Sequence, residues 1–557
     1  MEPQITVTVD GQPLKEQAQG YSLGGSYDAA SRLARETALW SPSQGSADLD
    51  LNWNKPLLDA RARDMVRNEG YVAGAIAIHR DSIIGGRYIL NANPNWRALG
   101  ADEAWAEEFQ TVVEDKFTLF AESQACWIDA QRRNTFTNLM RLAAGIYLFS
   151  GEVLATAEWI RKQGQVRPYS TAIQMIDTDR LSNPHDGMDK PNLRRGIVTD
   201  FYNAPVGYYI RSAHPSDGYM GINVNMWKYV PATKPWGRQQ VIHIFEQMRP
   251  QQSRGVAEMS AALKEMRMTK KFRDITLQNA VVNAMYAAAI ESELPPEVIN
   301  DMLGAGINSS AATNTQQTGL AMWLEQLAQY SGGARGLQID GVKIPHLFPN
   351  TKLNLHPVGT PGGVGTAFEQ SLLRYLASTL GLSYEQLSRD YTNTNYSSAR
   401  ASMNETWKFM QSRKKVVIDR FATSIYALWL EEAINKGDVP LPKGMTAASF
   451  YEGVNKEAFC RCDWIGASRG QVDELKETEA AVLRIDAGLS TYEKEITRLG
   501  GDYREIFAQR AREEKLKEKQ GLVFISALVR PGYKKDPGSG DTQDGTTPAQ
   551  DTNGGQP

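Results

Sequence analysis

Residues 391–437 read YTNTNYSSARASMNETWKFMQSRKKVVIDRFATSIYALWLEEAINKG, and the interpretation of the whole chain starts from them. From Ser397 to Lys436 apolar residues recur at helical spacing, and Gly437 follows as a typical C-terminal glycine. The preceding segment, Tyr391–Tyr396, is polar and uncharged and contains no aliphatic side chain. The sequence therefore predicts a polar loop followed by a very long helix.

A second long helix is predicted upstream of this loop. No proline interrupts the chain from Ser253 to about Glu293, and Pro295–Pro296 ends the run. About forty residues at ~1.5 Å each would span about 60 Å. Residues 294–363 form a smaller mixed insert, and a further helix is predicted from about Thr366 to Leu380.

The first 250 residues combine helical and strand patterns. Helical patterning appears near residues 57–66, 72–84, 102–121 and 134–149, and the run 153–160 and a hairpin at 195–210 indicate strands. The predicted fold class is therefore α+β, mainly helical. The first 50 residues are polar and rich in glycine and serine, which predicts a mobile arm, and the Gly-, Pro- and Thr-rich end of the chain predicts a disordered tail.

Composition excludes several functional classes. The 557 residues carry 61 Lys and Arg against 64 Asp and Glu, a net charge of −3, which disfavours a surface that grips phosphates tightly. Three cysteines cannot form a disulfide framework, so a reducing interior is expected. No signal peptide and no run of roughly 20 apolar residues is evident, so we expect a soluble protein that is cytoplasmic when made and has no membrane partner.

Two glycine motifs resemble catalytic or nucleotide-binding signatures. Gly466–Gly470 matches the G-x-S-x-G nucleophile elbow, but the last histidine, His356, precedes Ser468 instead of following it, so we predict a turn capping a helix that starts near Gln471. Gly363–Phe368 resembles a dinucleotide-binding turn, but Phe368 replaces its third glycine. The chain contains no Gly-Lys dipeptide, which excludes a P-loop.

No metal site is predicted either. Cys460 and Cys462 would share one face of a strand, but a structural zinc site requires four ligands, and Cys126 and six scattered histidines do not supply the others. We interpret both residues as core thiols. The sequence thus predicts no catalytic, cofactor-binding or metal-binding residue.

Seven segments together resemble the portal proteins of lambda-like tailed bacteriophages, and the resemblance extends from about residue 27 to residue 510. These segments are Val66–Tyr71, His79–Gly85, Ser253–Val256, Phe368–Arg374, Leu382–Arg389, Asp463–Gly466 and Ala487–Glu495. None is a catalytic motif, and it is their shared order and number that make the match specific.

The resemblance implies a ring, typically of twelve subunits, at one vertex of the capsid, through which DNA is packaged and ejected. The implied divisions are an N-terminal arm (1–50), a wing (51–254), a first stem helix (255–292), a clip (293–363), a second stem helix (364–382), a tunnel loop (383–396), a long wing helix (397–439), a crown (440–525) and a tail (526–557). Near-neutral charge suits such a conduit, because deep phosphate-binding wells would brake sliding DNA.

The resemblance also implies functional residues and partners. The DNA-proximal loop would comprise Arg389, Asp390, Tyr391, Thr392, Asn393, Thr394 and Asn395. Lys264, Lys270, Lys271 and Arg273 would face the channel or, as we favour, a neighbouring subunit. Lys343 and His346 in the clip would meet the large terminase subunit and later a head-completion protein. The major capsid protein and scaffold are further expected partners, in the virion and, during assembly, in the host cytoplasm.

Two alternatives remain open at this point. One is an enzyme of nucleotide or ester chemistry built on the Gly363 or Ser468 motif, and the other is a monomeric scaffold or adaptor. The portal hypothesis requires no catalysis, because ATP hydrolysis would belong to a separate terminase.

Overall fold

The computed structural model describes residues 8–9, 12–13, 39–42, 44–161, 167–289, 337–339, 342–344, 364–392, 394–470 and 473–521. The chain divides into two compact units, the first ending at Ala467 and the second beginning at Ser468. Within the described residues no helix is both long and apolar enough to cross a membrane.

Helices and strands follow one another in the order expected of an α+β protein. The helices are α1 (Ala47–Asn52), α2 (Lys55–Asn68), α3 (Gly70–Ile83), α4 (Glu103–Ala121), α5 (Phe136–Ser150), α6 (Leu263–Ala289), α7 (Val364–Thr379), α8 (Tyr384–Ser388), α9 (Tyr396–Arg413), α10 (Asp419–Lys436), α11 (Asn455–Phe459), α12 (Glu474–Asp486), α13 (Tyr492–Arg498) and α14 (Tyr503–Gln520). The strands are β1 (Thr8–Val9), β2 (Gln12–Pro13), β3 (Ile89–Ala92), β4 (Glu152–Trp159), β5 (Thr171–Met175), β6 (Leu193–Arg194), β7 (Ile197–Thr199), β8 (Pro205–Arg211), β9 (Trp227–Pro231), β10 (Val241–Phe245), β11 (Leu337–Ile339), β12 (Val342–Ile344) and β13 (Cys462–Ile465).

The strands form small antiparallel sheets. β4 lies between β10 and β5, and β6 to β9 form a four-stranded meander in sequence order. The predicted hairpin at 195–210 is confirmed, because β7 and β8 pair with Ile197 opposite Tyr208. The remaining sheets are the pairs β1–β2, β11–β12 and β3–β13.

The core of the first unit is aromatic. Trp429 and Tyr426 of α10 are fully buried, and Phe117 of α4 and Trp464 of β13 pack edge-on against Tyr426. Buried aromatic side chains of this size contribute most of the energy of such a core. Both α4 and α10 therefore turn one apolar face inward, as their helical periodicity predicts.

The pairing of β13 with β3 corrects one predicted boundary. Ile465 lies opposite Ile89 and Cys462 opposite Ala92, so residues up to Ala467 belong to the first unit. The crown boundary predicted at residue 440 is therefore too early, because sequence periodicity carries no information about a strand pairing across some 370 residues. The arm boundary at residue 50 is too late, because α1 begins at Ala47 and Asp48 is buried.

The two long helices differ in how well they match prediction. The helix predicted at 397–436 is confirmed as α9 and α10, joined by a π-helical turn at Lys414–Ile418, and Gly437 ends it in the left-handed conformation. The upstream helix α6 starts at Leu263, after a short 3₁₀ turn, and not at Ser253 or at the predicted stem boundary of 255. Its described part ends at Ala289, and α7 ends at Thr379, three residues before the predicted boundary at 382.

Candidate functional site

A buried ionic cluster holds the chain segment that leads into α6. Arg254 Nε lies 3.0 Å from both carboxylate oxygens of Glu152, and its Nη1 and Nη2 donate to the carbonyls of Leu181 and Thr178 at 2.9 and 3.0 Å. Lys55 Nζ lies 3.3 Å from Glu152 and donates to the Gly255 carbonyl at 3.0 Å. This cluster connects α2, β4 and the entry to α6, and it explains why residues 253–257 are not helical.

Charges in the cluster balance one another. Burial opposes the charge on Glu152, but Arg254 and Lys55 hold the pKa of its carboxyl well below the ordinary value. Burial lowers the pKa of His243, whose Nε2 lies 3.1 Å from Glu152, and burial raises the pKa of Asp59 to about 6. Sequence reasoning missed this cluster because its members are separated by about a hundred residues, although Ser253–Val256 had been noted for its resemblance.

Glycine permits the two backbones to approach at this junction. A Cβ atom on Gly151 would lie 2.1 Å from the Val256 backbone, and one on Gly255 would lie 2.1 Å from the Gly151 carbonyl oxygen. Gly151 also adopts φ +76°, which favours glycine. The start of α6 is therefore fixed against β4 by close backbone packing as well as by charge.

Helices α6 and α7 contact each other and the first unit through their side chains. Phe272 and Phe368 meet edge-on with ring centroids 5.5 Å apart, so the residue that breaks the dinucleotide motif is a packing residue. The Arg273 guanidinium pairs with Glu69, lies 3.9 Å from Glu369, and stacks over Tyr71 at 5.0 Å.

The predicted stem residues separate into two pairs. Lys270 Nζ donates to the Asn68 carbonyl at 2.9 Å, so Lys270 and Arg273 contact their own chain. Lys264 and Lys271 are exposed on α6. The latter two stay candidates for contact with a channel or a neighbouring subunit.

The loop at 389–395 is short and closed by its own hydrogen bonds. Arg389 adopts φ +60° at the end of α8, and the Asp390 carboxylate accepts from the Thr392 backbone N–H at 3.1 Å and from the Thr392 hydroxyl at 2.6 Å. These bonds lower the pKa of Asp390. Asn395 caps α9 by accepting from the Ser398 N–H at 2.8 Å, and Tyr391 is exposed.

Of the other predicted loop residues, Thr392 is exposed, Thr394 is partly buried, and Asn393 lies outside the described residues. The loop is thus a polar, self-bonded turn between two helices, without a charged residue after Asp390. Part of the predicted 383–396 segment is helical, because Ser383 and Gln386 form a capping box that starts α8.

The elements behind the loop are packed against the first unit. His79 Nε2 lies 2.9 Å from the Leu380 carbonyl, and burial lowers the pKa of this imidazole to about 4. The Thr406 hydroxyl of α9 donates to the Gln386 side chain of α8 at 2.9 Å. The turn is therefore presented from a fixed base.

A second charged cluster lies where α9 meets the π-helical turn. Arg413 pairs with Glu246 and Glu258, and burial raises the pKa of Glu258 to about 7 although Arg413 opposes the rise. The next residue, Lys414, is buried and donates to Asp419 at 2.9 Å and to the Trp464 carbonyl at 2.8 Å. An extra residue per turn is often found where a helix must direct a particular side chain.

We expect Glu258→Gln to remove a pH dependence from the free energy of unfolding. A carboxyl with a pKa of 4.5 when unfolded and about 7 when folded stabilises the fold below the lower value, and this contribution is lost as pH rises through the higher one. Urea titrations near about pH 5 and about pH 8 should therefore show a larger loss of stability in the wild type than in the variant. Asp59 and His79 are present in both proteins and cancel, so equal losses would contradict the assignment.

Clip residues and motif residues have definite positions only in part. Lys343 lies in β12 opposite Gln338, and His346 lies outside the described residues. Ser468 begins the second unit in irregular structure, and the helix expected near Gln471 starts at Glu474 with Asp473 as its cap. Gly365 lies inside the first turn of α7.

The two neighbouring cysteines are core thiols, as predicted, but they do not share a strand. Cys460 is buried at the end of α11, and Cys462 is the first residue of β13. Burial raises the pKa of both thiols, that of Cys462 to about 12. Both are therefore protonated at neutral pH and poor nucleophiles.

One acidic group near the surface brings together Asp177, Asp179 and His214 with a spacing that would suit a cation. The Arg63 guanidinium, however, pairs with Asp179 and lies 3.5 Å from Asp177. A cation already occupies the position, so the group is an ion-pair network.

The sequence model of the family described as "Phage portal protein, lambda family" matches residues 33–414. The chain therefore belongs to the lambda family of phage portal proteins. A portal protein supplies the DNA channel and the docking platform at one vertex of a phage capsid, and this is the function of the family.

Among individual proteins, the chain is similar to portal protein B of Escherichia phage lambda, with 39% identity over 94% of this chain and 96% of that protein. It is 38% identical to the portal protein of Escherichia phage N15 over the same shares. Among solved structures it is similar to a chain of the virion of a native gene transfer agent particle, with a TM-score of 0.37, 12% identity, and coverage of 83% of this chain and 94% of that one.

Proposed function

We propose that twelve copies of this chain close into a ring that conducts double-stranded DNA and carries no catalytic site. The proposal rests on family membership together with one structural observation, the capped polar turn at 389–395 held on a rigid base. A turn whose carboxylate is bonded to its own backbone presents few groups that would bind a phosphate tightly. The turn can therefore lie close to passing DNA without retaining it.

The described elements support a revised division of the chain. We assign residues 47–254 and 396–467 to the wing, α6 and α7 to the stem, residues 290–363 to the clip, and the second unit to the crown. Lys264 and Lys271 would contact a neighbouring stem or the channel, and Lys343 and His346 would contact the large terminase subunit and then a head-completion protein. The major capsid protein and scaffold would surround the wing, with assembly in the host cytoplasm.

The mass of the purified particle tests the ring directly. We expect native mass spectrometry to give a species near twelve times the 61.8 kDa of one chain. Head-to-tail contacts that close on themselves produce a single defined species. A persistent 61.8 kDa species would contradict the ring and favour a monomeric adaptor.

A further inference from the structure

The second unit lacks a hydrophobic core of its own among its described residues, 468–470 and 473–521. Its one buried side chain there is Glu495, whose carboxylate accepts from Arg484 at 2.9 and 3.0 Å and from Arg498 at 2.9 Å. Three large apolar side chains, Leu475, Leu483 and Leu489, are exposed by 66, 67 and 79%. Helices of this length need tertiary packing of an apolar face to be stable in water.

Helix α12 carries an acidic face with apolar residues along it. Leu475, Glu479, Val482 and Asp486 follow one another at helical spacing on one side of the helix, and all four are exposed. The helix as a whole has four acidic and two basic residues. Its N-cap, Asp473, adds another negative charge at the same end.

Helix α14 carries the complementary face. Ala508, Arg512, Leu516 and Lys519 lie on one side of it at helical spacing, and all four are exposed. This helix has six basic and four acidic residues. Its contacts within the unit are made from another side, where Phe507 meets Tyr492 and Tyr503 with ring centroids 6.0 Å apart.

We propose that the acidic face of α12 in one subunit packs against the basic face of α14 in the next subunit, and that this contact completes the hydrophobic core of the second unit. The two faces differ from each other, so the contact is head-to-tail and closes into a ring rather than a two-fold dimer. Opposite charges flanking apolar residues fix both the partner and the register. The inference rests on the proposed ring and specifies which surfaces form part of it.

The test is charge reversal in the full-length protein, with hydrogen exchange measured in isolated rings. One variant reverses the acidic face (Glu479→Lys with Asp486→Lys), a second reverses the basic face (Arg512→Glu with Lys519→Glu), and a third combines all four changes. Each single-face variant should exchange the amides of α12 and α14 about tenfold faster or more, because like charges then oppose each other and the contact opens. The combined variant should restore slow exchange, because the charges are complementary again.

A matched control places the same charge changes on the opposite sides of the two helices. Glu477→Lys with Arg510→Glu alters each helix by the same type of substitution without touching the proposed faces, and its exchange should equal that of the wild type. A second control, Phe524→Asp with Leu528→Asp, addresses the apolar run near the C-terminus as an alternative cover for the α12 face. Exchange should stay slow in this variant.

The outcomes separate this inference from the proposed function. Rings in which the single-face variants exchange like the wild type, or in which the combined variant is not restored, would overturn the α12–α14 contact while leaving the ring in place. Fast exchange in the Phe524→Asp, Leu528→Asp variant alone would assign the cover to the chain's own C-terminal segment. Failure of the wild type to form rings at all would instead overturn the proposed function.

Discussion

Deleting Thr392–Asn395 is expected to leave ring assembly intact and to prevent the filling of heads with DNA. The deleted residues make hydrogen bonds only to their own turn and to the first turn of α9 among the contacts described, so their loss removes no packing between subunits or within the core. The turn would, however, be the part of the ring closest to DNA. Native mass spectrometry measures assembly, and the amount of DNA protected from nuclease in heads measures filling.

The capping residue needs its own control, because the deletion removes the Asn395 cap of α9. The single substitution Asn395→Ala removes the cap alone and should cost about 1 kcal/mol of stability, with normal rings and normal filling. If Asn395→Ala blocked filling as completely as the deletion, the defect would arise from the helix end. Rings that fail to form after the deletion would show that the loop is a structural element.

Replacing Arg254 with Met is expected to lower the free energy of unfolding by about 3–5 kcal/mol, because Glu152 would retain a fully buried charge without its bidentate partner. The variant would also lose the bonds to the Leu181 and Thr178 carbonyls. Urea denaturation followed by tryptophan fluorescence gives the change, and a fall in soluble yield should accompany it.

Arg249→Met is the matched control for this substitution. Arg249 also pairs with an aspartate, at 2.8 Å from Asp50, but both side chains are about half exposed. Exposed ion pairs contribute roughly 0–1 kcal/mol, so the control should unfold almost like the wild type. Equal effects of the two substitutions would mean that the Glu152 cluster does not hold the entry to α6.

The two long helices show what sequence reasoning can and cannot determine here. The helix at 397–436 could be predicted because its apolar spacing and its terminal Gly437 are local signals. The start of α6 could not, because Arg254 is drawn out of the helix by Glu152, a residue 102 positions earlier. A proline-free, helix-compatible segment carries no sign of such a distant partner.

The candidate functional residues follow the same rule. The polar turn could be located from its composition and from the resemblance, and its closure by Asp390 and Asn395 agrees with the ordinary behaviour of Asx side chains at turns and caps. The intrachain contacts of Lys270 and Arg273 were beyond reach, because one face of a charged helix cannot be told from another without the packing of α2 and α3. The crown boundary moved for a comparable reason, the pairing of β13 with β3.

Electron microscopy of the purified particles tests the central claim most directly, namely that copies of this chain surround a hole through which a double helix passes. The account predicts closed rings, seen end-on, with one central opening wide enough for B-form DNA and with the turn at 389–395 bordering that opening. Particles without a central opening, or with an opening too narrow for a duplex in every state, would contradict it.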